Sequence, residues 1–156
     1  MTAQGDRSGT AAFGFKLFLG VDGLLFAAMI FVLLHKENRP EVRDTPGLWL
    51  AFALVVPGIA SALLFQLRAL PPLFLACATA ALGFFWGRAD LVRGAGVYGA
   101  AVSALGIVLV AHYLGGLAAL VRREFHSGPA PAPLLRIYLF YLAGVTLAAH
   151  AVVFLG

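Results

Sequence analysis

Five long apolar segments divide this chain, and they constrain its fold more than any other feature. They cover residues 13–34, 48–67, 70–87, 97–121 and 134–155. Each is close to the ~20 residues that a helix needs to cross ~30 Å of hydrocarbon. Apolar residues make up 62% of the chain and charged residues 12%, which is more apolar surface than a soluble domain of this size can bury. The sequence therefore predicts an all-α integral membrane bundle of five transmembrane helices, with residues 1–12 as a polar N-terminal tail and 13–156 as one transmembrane domain.

The basic residues lie in short loops between the apolar segments. Lys and Arg outnumber Asp and Glu by 11 to 7, but bases in such loops meet lipid phosphates, so we exclude a nucleic-acid partner. The single cysteine, Cys77, excludes a disulfide framework and a Cys-pair metal site. The side that holds the N-terminus carries six bases and the other side five. This small excess predicts that the N-terminus is inside and the C-terminus outside.

An aspartate, Asp22, lies inside the first apolar segment. A carboxylate within a membrane span requires a partner, a water-filled path or a function. With five spans, the start of the first and the end of the fourth lie on one membrane face. Asp22 and His112 are each nine residues from that face, at a depth of about 14 Å. The sequence predicts that they form a polar pair, with Thr79 and Tyr141 in the same layer. Two interpretations stay open: a proton-responsive pair, or a buried hydrogen bond that fixes helix packing.

Histidines raise the question of heme. His112 and His150 are the two candidates within spans, but their predicted depths differ by about 7 Å, which is unfavourable for two ligands of one iron. The chain has no Cys-x-x-Cys-His, no His-x-x-x-His, no carboxylate cluster and no Gly-x-Ser-x-Gly. We therefore predict no intrinsic metal site and no catalytic residue. A small heme b-binding membrane cytochrome remains an alternative, as does a proton-coupled transporter that uses Asp22.

Three stretches carry a resemblance to a known family. They read FGFKLFLGVDGLLFAAMIFVLL from residue 13, YGAAVSALGIVLVAHYLGGLAALVRREFH from residue 98, and IYLFYLAGVTLAAHAVVFLG from residue 137. In order and spacing they resemble subunit III of heme-copper oxidases, in its short five-helix form. The family's Trp-His-Phe-x-Asp pattern in the last helix is absent, since residues 140–144 read FYLAG. The chain is therefore similar to a divergent member, such as the subunit-III-like protein of nitric oxide reductases.

The resemblance implies a function and a set of residues. It implies a non-catalytic accessory subunit of a respiratory terminal oxidase or nitric oxide reductase, located in the bacterial cytoplasmic (inner) membrane. Such a subunit packs on the catalytic subunit, which holds the heme and copper. It binds phospholipid and supports proton uptake and complex stability. Asp22 matches the family's membrane acid and His112 its mid-span histidine. The residues expected near lipid headgroups are Arg122, Arg123, His126, Lys16 and Arg136.

Overall fold

The computed structural model of the chain describes residues 3–35, 59–64, 70–88, 96–125 and 132–155. Within these residues the secondary structure is helical, with no strand. Four long helices are present: α1 (Ala3–Leu34), α2 (Leu70–Arg88), α3 (Gly96–Phe125) and α4 (Ala132–Leu155). A short helical stretch also covers residues 59–63. The predicted all-α fold is confirmed.

Three of these helices are long and apolar enough to cross a membrane. The spans are Ala12–Leu34, Gly99–Arg122 and Pro133–Val153, which contain 23, 24 and 21 residues. The apolar stretch of α2 is shorter, Leu70–Leu82. Most of the predicted span at 48–67 lies outside the described residues. The chain is thus a helical membrane protein, and the full count of five spans stays a prediction.

The helices begin and end differently from the apolar segments. Helix α1 begins at Ala3, so most of the stretch predicted as a tail continues the helix. The physical reason is that extending an existing helix costs far less than nucleating one, and residues 3–12 contain no proline to stop it. Helix α2 begins at Leu70 with Pro71 and Pro72 in its first turn, where proline lacks only an N–H that has no helical partner.

Helices α1 and α4 run in the same direction. Near the N-terminal ends of their membrane spans, the ring centroids of Phe15 and Tyr138 are 6.3 Å apart. Further along both, those of Phe26 and Tyr141 are 6.5 Å apart. Because the residue numbers rise together in the two helices, the helices are parallel. Their first residues therefore lie on the same membrane face.

Helix α3 runs antiparallel to α4 and lies centrally. A Cβ built on Gly116 would be 3.4 Å from the Tyr138 ring, whereas Tyr113, earlier in α3, bonds to Thr146, later in α4. Helix α3 packs against α1, α2 and α4. Among the described helices, α2 packs against α3 and does not contact α1. The C-terminal end of α3 therefore shares a membrane face with the start of α1 and α4.

The apolar core lies where α3 packs against its neighbouring helices. Its fully buried members include Phe26, Leu33, Leu75, Leu82, Leu105, Leu109, Leu120, Leu139 and Leu142. Helix α1 is the least covered, because only 17% of its apolar window is buried, against 33% in α3 and 44% in α4. Large apolar side chains on its outer side, such as Leu24 and Phe13, are exposed. In a bilayer this outer side contacts lipid or another membrane protein.

Candidate functional site

Asp22 of α1 and His112 of α3 are in direct contact in the middle of the bundle. His112 Nε2 lies 3.1 Å from Asp22 Oδ1. The Asp22 side chain is 7% exposed and the His112 side chain 17%. Asp22 is ten residues from Ala12 and His112 ten residues from Arg122, the two span ends on the shared face. At 1.5 Å per residue each is about 15 Å deep, so the contact joins side chains at one level near mid-membrane.

The second ring nitrogen of His112 determines where protons can lie in this contact. His112 Nδ1 is 2.7 Å from the Val108 carbonyl oxygen, and because a carbonyl only accepts, Nδ1 carries a hydrogen. In a neutral ring, Nε2 is then an acceptor. A hydrogen bond between Nε2 and Asp22 therefore requires one further proton, held by either the carboxyl group or the imidazole. Both forms have no net charge, so the pair keeps a proton near mid-membrane without an isolated charge.

Tyr141 of α4 completes the cluster. Its hydroxyl donates to Asp22 Oδ2 over 2.7 Å, so both carboxyl oxygens have partners. This distance is ordinary for an O–H···O bond, and the bond is compatible with either position of the shared proton. Tyr141 lies in the layer predicted for it from sequence.

Two aromatic side chains that the sequence analysis missed surround the pair. Phe26, 2% exposed, presents its ring edge-on to His112 at 5.4 Å. Tyr138 stacks on Tyr141 at 6.4 Å and donates to the His112 carbonyl oxygen over 3.2 Å. Helical spacing could have found both, because Phe26 is four residues after Asp22 and Tyr138 three residues before Tyr141. Phe26 thus covers the His112 ring, and Tyr138 links Tyr141 to the backbone of α3.

The described structure gives Thr79 no contact with the Asp22–His112 pair, and its predicted depth stays a prediction. Its hydroxyl donates to the Leu75 carbonyl of its own helix over 2.7 Å. Helix α2 packs on α3 and, within the described part of the chain, has no contact with α1. Depth along a helix fixes the level of a residue in the membrane but not its lateral position. Thr79 is therefore buried in the contact of α2 with α3, away from α1.

A second buried polar group lies in the seam of α3 and α4. Thr146 Oγ1 donates to the Leu142 carbonyl over 2.7 Å, so the 3.0 Å contact with Tyr113 is a bond that the Tyr113 hydroxyl donates. His150 Nδ1 donates to the Thr146 carbonyl over 2.7 Å. Tyr113 and Thr146 are at most 1% exposed. The sequence analysis did not predict this group, because the residues lie at different distances along their helices.

The geometry of His112 bears on the alternative of heme binding. Both of its ring nitrogens are engaged, by Asp22 and by the Val108 carbonyl. Iron ligation through Nε2 would require that nitrogen to leave Asp22. Among the described residues there is no group of three or more His, Cys, Asp or Glu side chains that could hold a metal ion. Ligation of iron by His112 would therefore compete with its contact to Asp22.

Three of the five predicted headgroup residues lie at the shared membrane face. Lys16 follows the start of the α1 span, Arg136 follows the start of the α4 span and Arg122 ends the α3 span. All three are exposed. The side chain of Arg123 and the whole of His126 lie outside the described residues. The three described cations are thus positioned to meet anionic groups at one face.

The chemistry open to the central cluster is the binding and exchange of a proton. It combines a carboxyl group, an imidazole and a phenol, which exchange protons without a cofactor. Comparisons with known protein families, with curated proteins and with solved structures find no match.

Proposed function

We propose that this chain is a non-catalytic accessory subunit of a respiratory heme-copper oxidase or nitric oxide reductase, and that its Asp22–His112 pair supports proton uptake. The observation that carries the proposal is the 3.1 Å contact between Nε2 and Oδ1 near mid-membrane. The resemblance of the first, fourth and fifth apolar segments to subunit III provides the class of complex. Heme and copper belong to the partner subunit in this proposal, and the chain itself supplies only proton-binding groups.

The pair can couple proton uptake to a charge change in a neighbouring subunit. A second proton would protonate Asp22 beside the imidazolium, which gives the cluster a net positive charge. An electron that arrives at a partner's redox centre compensates that charge. At a separation of roughly 10 Å and an effective dielectric constant of about 20, one unit charge is worth about 1.7 kcal/mol. That is slightly more than a tenfold change in proton occupancy.

Phospholipid is the second proposed ligand. Arg122 and Arg136 present guanidinium groups, which form paired hydrogen bonds with phosphate, and Lys16 adds a third positive charge on the same face. The Arg136 guanidinium carbon is 5.8 Å from the centre of the Phe140 ring, a contact that restrains the side chain near the interface. The exposed apolar side of α1 supplies a surface for acyl chains or for the partner subunit.

The complex is tested by mass spectrometry of the proteins that co-purify with the chain in mild detergent from native membranes. We expect a stoichiometric heme-copper catalytic subunit. A colourless chain without partners would contradict the accessory role and favour the proton-coupled transporter. A red isolated chain that loses its colour on His112→Leu or His150→Leu would favour the cytochrome.

The role of the pair is tested separately in the assembled complex. Asp22→Asn and His112→Leu should leave assembly largely intact and lower turnover. Thr79→Val is the matched control, because it removes a buried hydroxyl that donates to the Leu75 carbonyl of its own helix. If both pair variants abolish assembly while turnover per assembled complex is unchanged, the pair is structural and the proton role is wrong.

A further inference from the structure

The two sides of the Asp22–His112 pair differ in polarity and burial. Toward the face with Lys16, Arg122 and Arg136 the pair's neighbours on α4 are the phenols Tyr141 and Tyr138, and toward the other face its neighbour on α1 is the apolar ring of Phe26. We infer that the pair exchanges its proton with one membrane face only, the face that carries these three cations. The inference rests on the proton-binding pair of the proposed function, and it holds whichever complex the chain joins.

The open side runs along the start of α4. Tyr141 bonds to Asp22 Oδ2, and Tyr138 lies one turn nearer the basic face with its ring stacked on Tyr141. Both tyrosines are half-buried, whereas Asp22 itself is buried. A proton from water can bind the Tyr141 oxygen as the hydroxyl hydrogen passes to Asp22 Oδ2, and rotation of the hydroxyl then restores the starting state. Tyr141 is thus positioned to relay protons from that side.

The closed side begins one turn beyond Asp22. Phe26 packs edge-on against both His112 and Tyr141 and is 2% exposed. Between residues 23 and 34, α1 has no polar side chain. The neighbouring core side chains Leu33, Leu105 and Leu109 are 0% exposed. A proton or water molecule crossing this layer would have no hydrogen-bonding side chain on α1, which makes the layer a barrier.

The polar groups of α4 beyond this layer do not supply a route. Thr146 donates to the Leu142 carbonyl and receives the Tyr113 hydroxyl, while His150 Nδ1 donates to the Thr146 carbonyl. These hydrogens are used within the seam of α3 and α4, where Tyr113 and Thr146 are at most 1% exposed. The Tyr113 bond joins α3 to the Thr146 side chain of α4, and the Thr146 and His150 bonds go to carbonyl groups of α4 itself, so none of the three is made to Asp22.

Charged and titratable groups also differ between the two sides. On the open side they are Lys16 of α1, Arg122 of α3 and the α4 residues Arg136, Tyr138 and Tyr141. On the far side the described titratable groups are His35, His150 and Tyr113. His35 is exposed at the C-terminal end of α1, at the far face.

The experiment uses the full chain, labelled with ¹⁵N-histidine and reconstituted in lipid vesicles. Cys77→Ser with Gly9→Cys allows orientation to be assigned with an impermeant maleimide, since Gly9 is exposed and a Cβ there would meet nothing within 4 Å. The pH is changed inside or outside, with a trapped dye to confirm the gradient. Solid-state NMR then follows the His112 Nε2 signal, which is assigned by its loss in His112→Gln.

We expect the His112 signal to shift with the pH at the basic face and to stay constant when only the far face is changed. A shift with the far face, or with both, would overturn one-sided exchange while leaving the proton-binding pair intact. A signal that responds to neither face would overturn the pair's proton function and this inference with it. The two failures are therefore distinguishable.

Phe26→Ala tests the barrier directly. It should make the His112 signal respond to both faces, whereas Phe31→Ala should leave the response one-sided. Phe31 is the matched control, because it is on the same helix and 59% exposed. If Phe26→Ala fails to insert, Leu109→Ala removes part of the same layer from α3. An unchanged one-sided response in a folded barrier variant would refute the role of this layer.

Discussion

Removing both members of the Asp22–His112 pair should destabilise the bundle less than the sum of the two single removals. In Asp22→Leu, His112 keeps its Nδ1 bond to Val108, but Nε2 loses its partner and the Tyr141 hydroxyl loses its acceptor. In His112→Leu, Asp22 keeps Tyr141 but loses the imidazole, and it must be buried either protonated or as an isolated charge. Each single change therefore leaves buried polar groups without partners.

The magnitudes follow from these contacts. A buried polar group without a partner costs about 1–3 kcal/mol, while hydrogen bonds measured in membrane helices average about 0.6 and reach about 1.7 kcal/mol. We expect about 2 kcal/mol for each single change. The double change removes the same bond once and leaves only the Tyr141 hydroxyl without its acceptor, so it should also cost about 2 kcal/mol rather than about 4. The coupling energy is then about 2 kcal/mol.

Unfolding in mixed micelles with a rising fraction of SDS, followed by circular dichroism, measures the four free energies of the cycle. The control cycle combines Asp22→Leu with Thr79→Val, because α2 does not contact α1 among the described helices. Those two costs should add within about 0.5 kcal/mol. If the costs of Asp22→Leu and His112→Leu add equally well, the two side chains do not stabilise one another in the membrane.

Three further predictions concern neighbouring contacts. Tyr141→Phe should cost about 0.5–1.5 kcal/mol in the same unfolding assay, because it removes the hydroxyl that donates to Asp22 but keeps the ring; a cost below ~0.3 kcal/mol would mean that this bond does not stabilise the bundle. Gly116→Ala should cost about 1–3 kcal/mol, because its Cβ would be 3.3 Å from a leucine of α2 and 3.4 Å from two side chains of α4. Gly144→Ala is the control, because a Cβ there meets nothing within 4 Å, and it should be neutral or stabilising by up to ~1 kcal/mol. Equal costs at Gly116 and Gly144 would contradict the close packing around Gly116. Arg122→Gln and Arg136→Gln should each weaken retention of anionic lipid by about 1 kcal/mol, measured by native mass spectrometry, and unchanged retention would place the lipid elsewhere.

Much of the central site could be predicted from sequence because helix geometry is regular. The rise per residue places Asp22, His112 and Tyr141 at similar depths once the segment ends are known. The same calculation gave Thr79 a similar depth but could not show whether it contacts the pair, since depth carries no information on which helices touch. Which helices touch is decided by side-chain packing, such as the contact of Gly116 with α2 and α4. The periodicity of a single sequence does not reveal this packing.

The two aromatic residues beside the pair, Phe26 and Tyr138, show a different limit of prediction from sequence. Phe26 and Tyr138 share a helix face with Asp22 and Tyr141, so their proximity follows from helical spacing. Their roles did not, because aromatic residues occur throughout these spans and only the packed structure separates those at the pair from those facing lipid. The bond between Tyr113 and Thr146 could not be predicted from sequence for a similar reason. The long tyrosine side chain places its hydroxyl several ångströms from its own backbone along the contact of α3 with α4.

The contact of Asp22 with His112 also sets the rotation of α1 about its own axis. The span of α1 has apolar residues on all sides, so burial alone distinguishes its faces poorly. A turn of about 100°, one residue along the helix, would carry the carboxyl group away from α3 and toward lipid, at a cost of several kcal/mol. One acidic side chain thus fixes the rotation of the whole helix about its own axis. The lipid-facing positions of α1 are free to vary among apolar residues without changing that rotation.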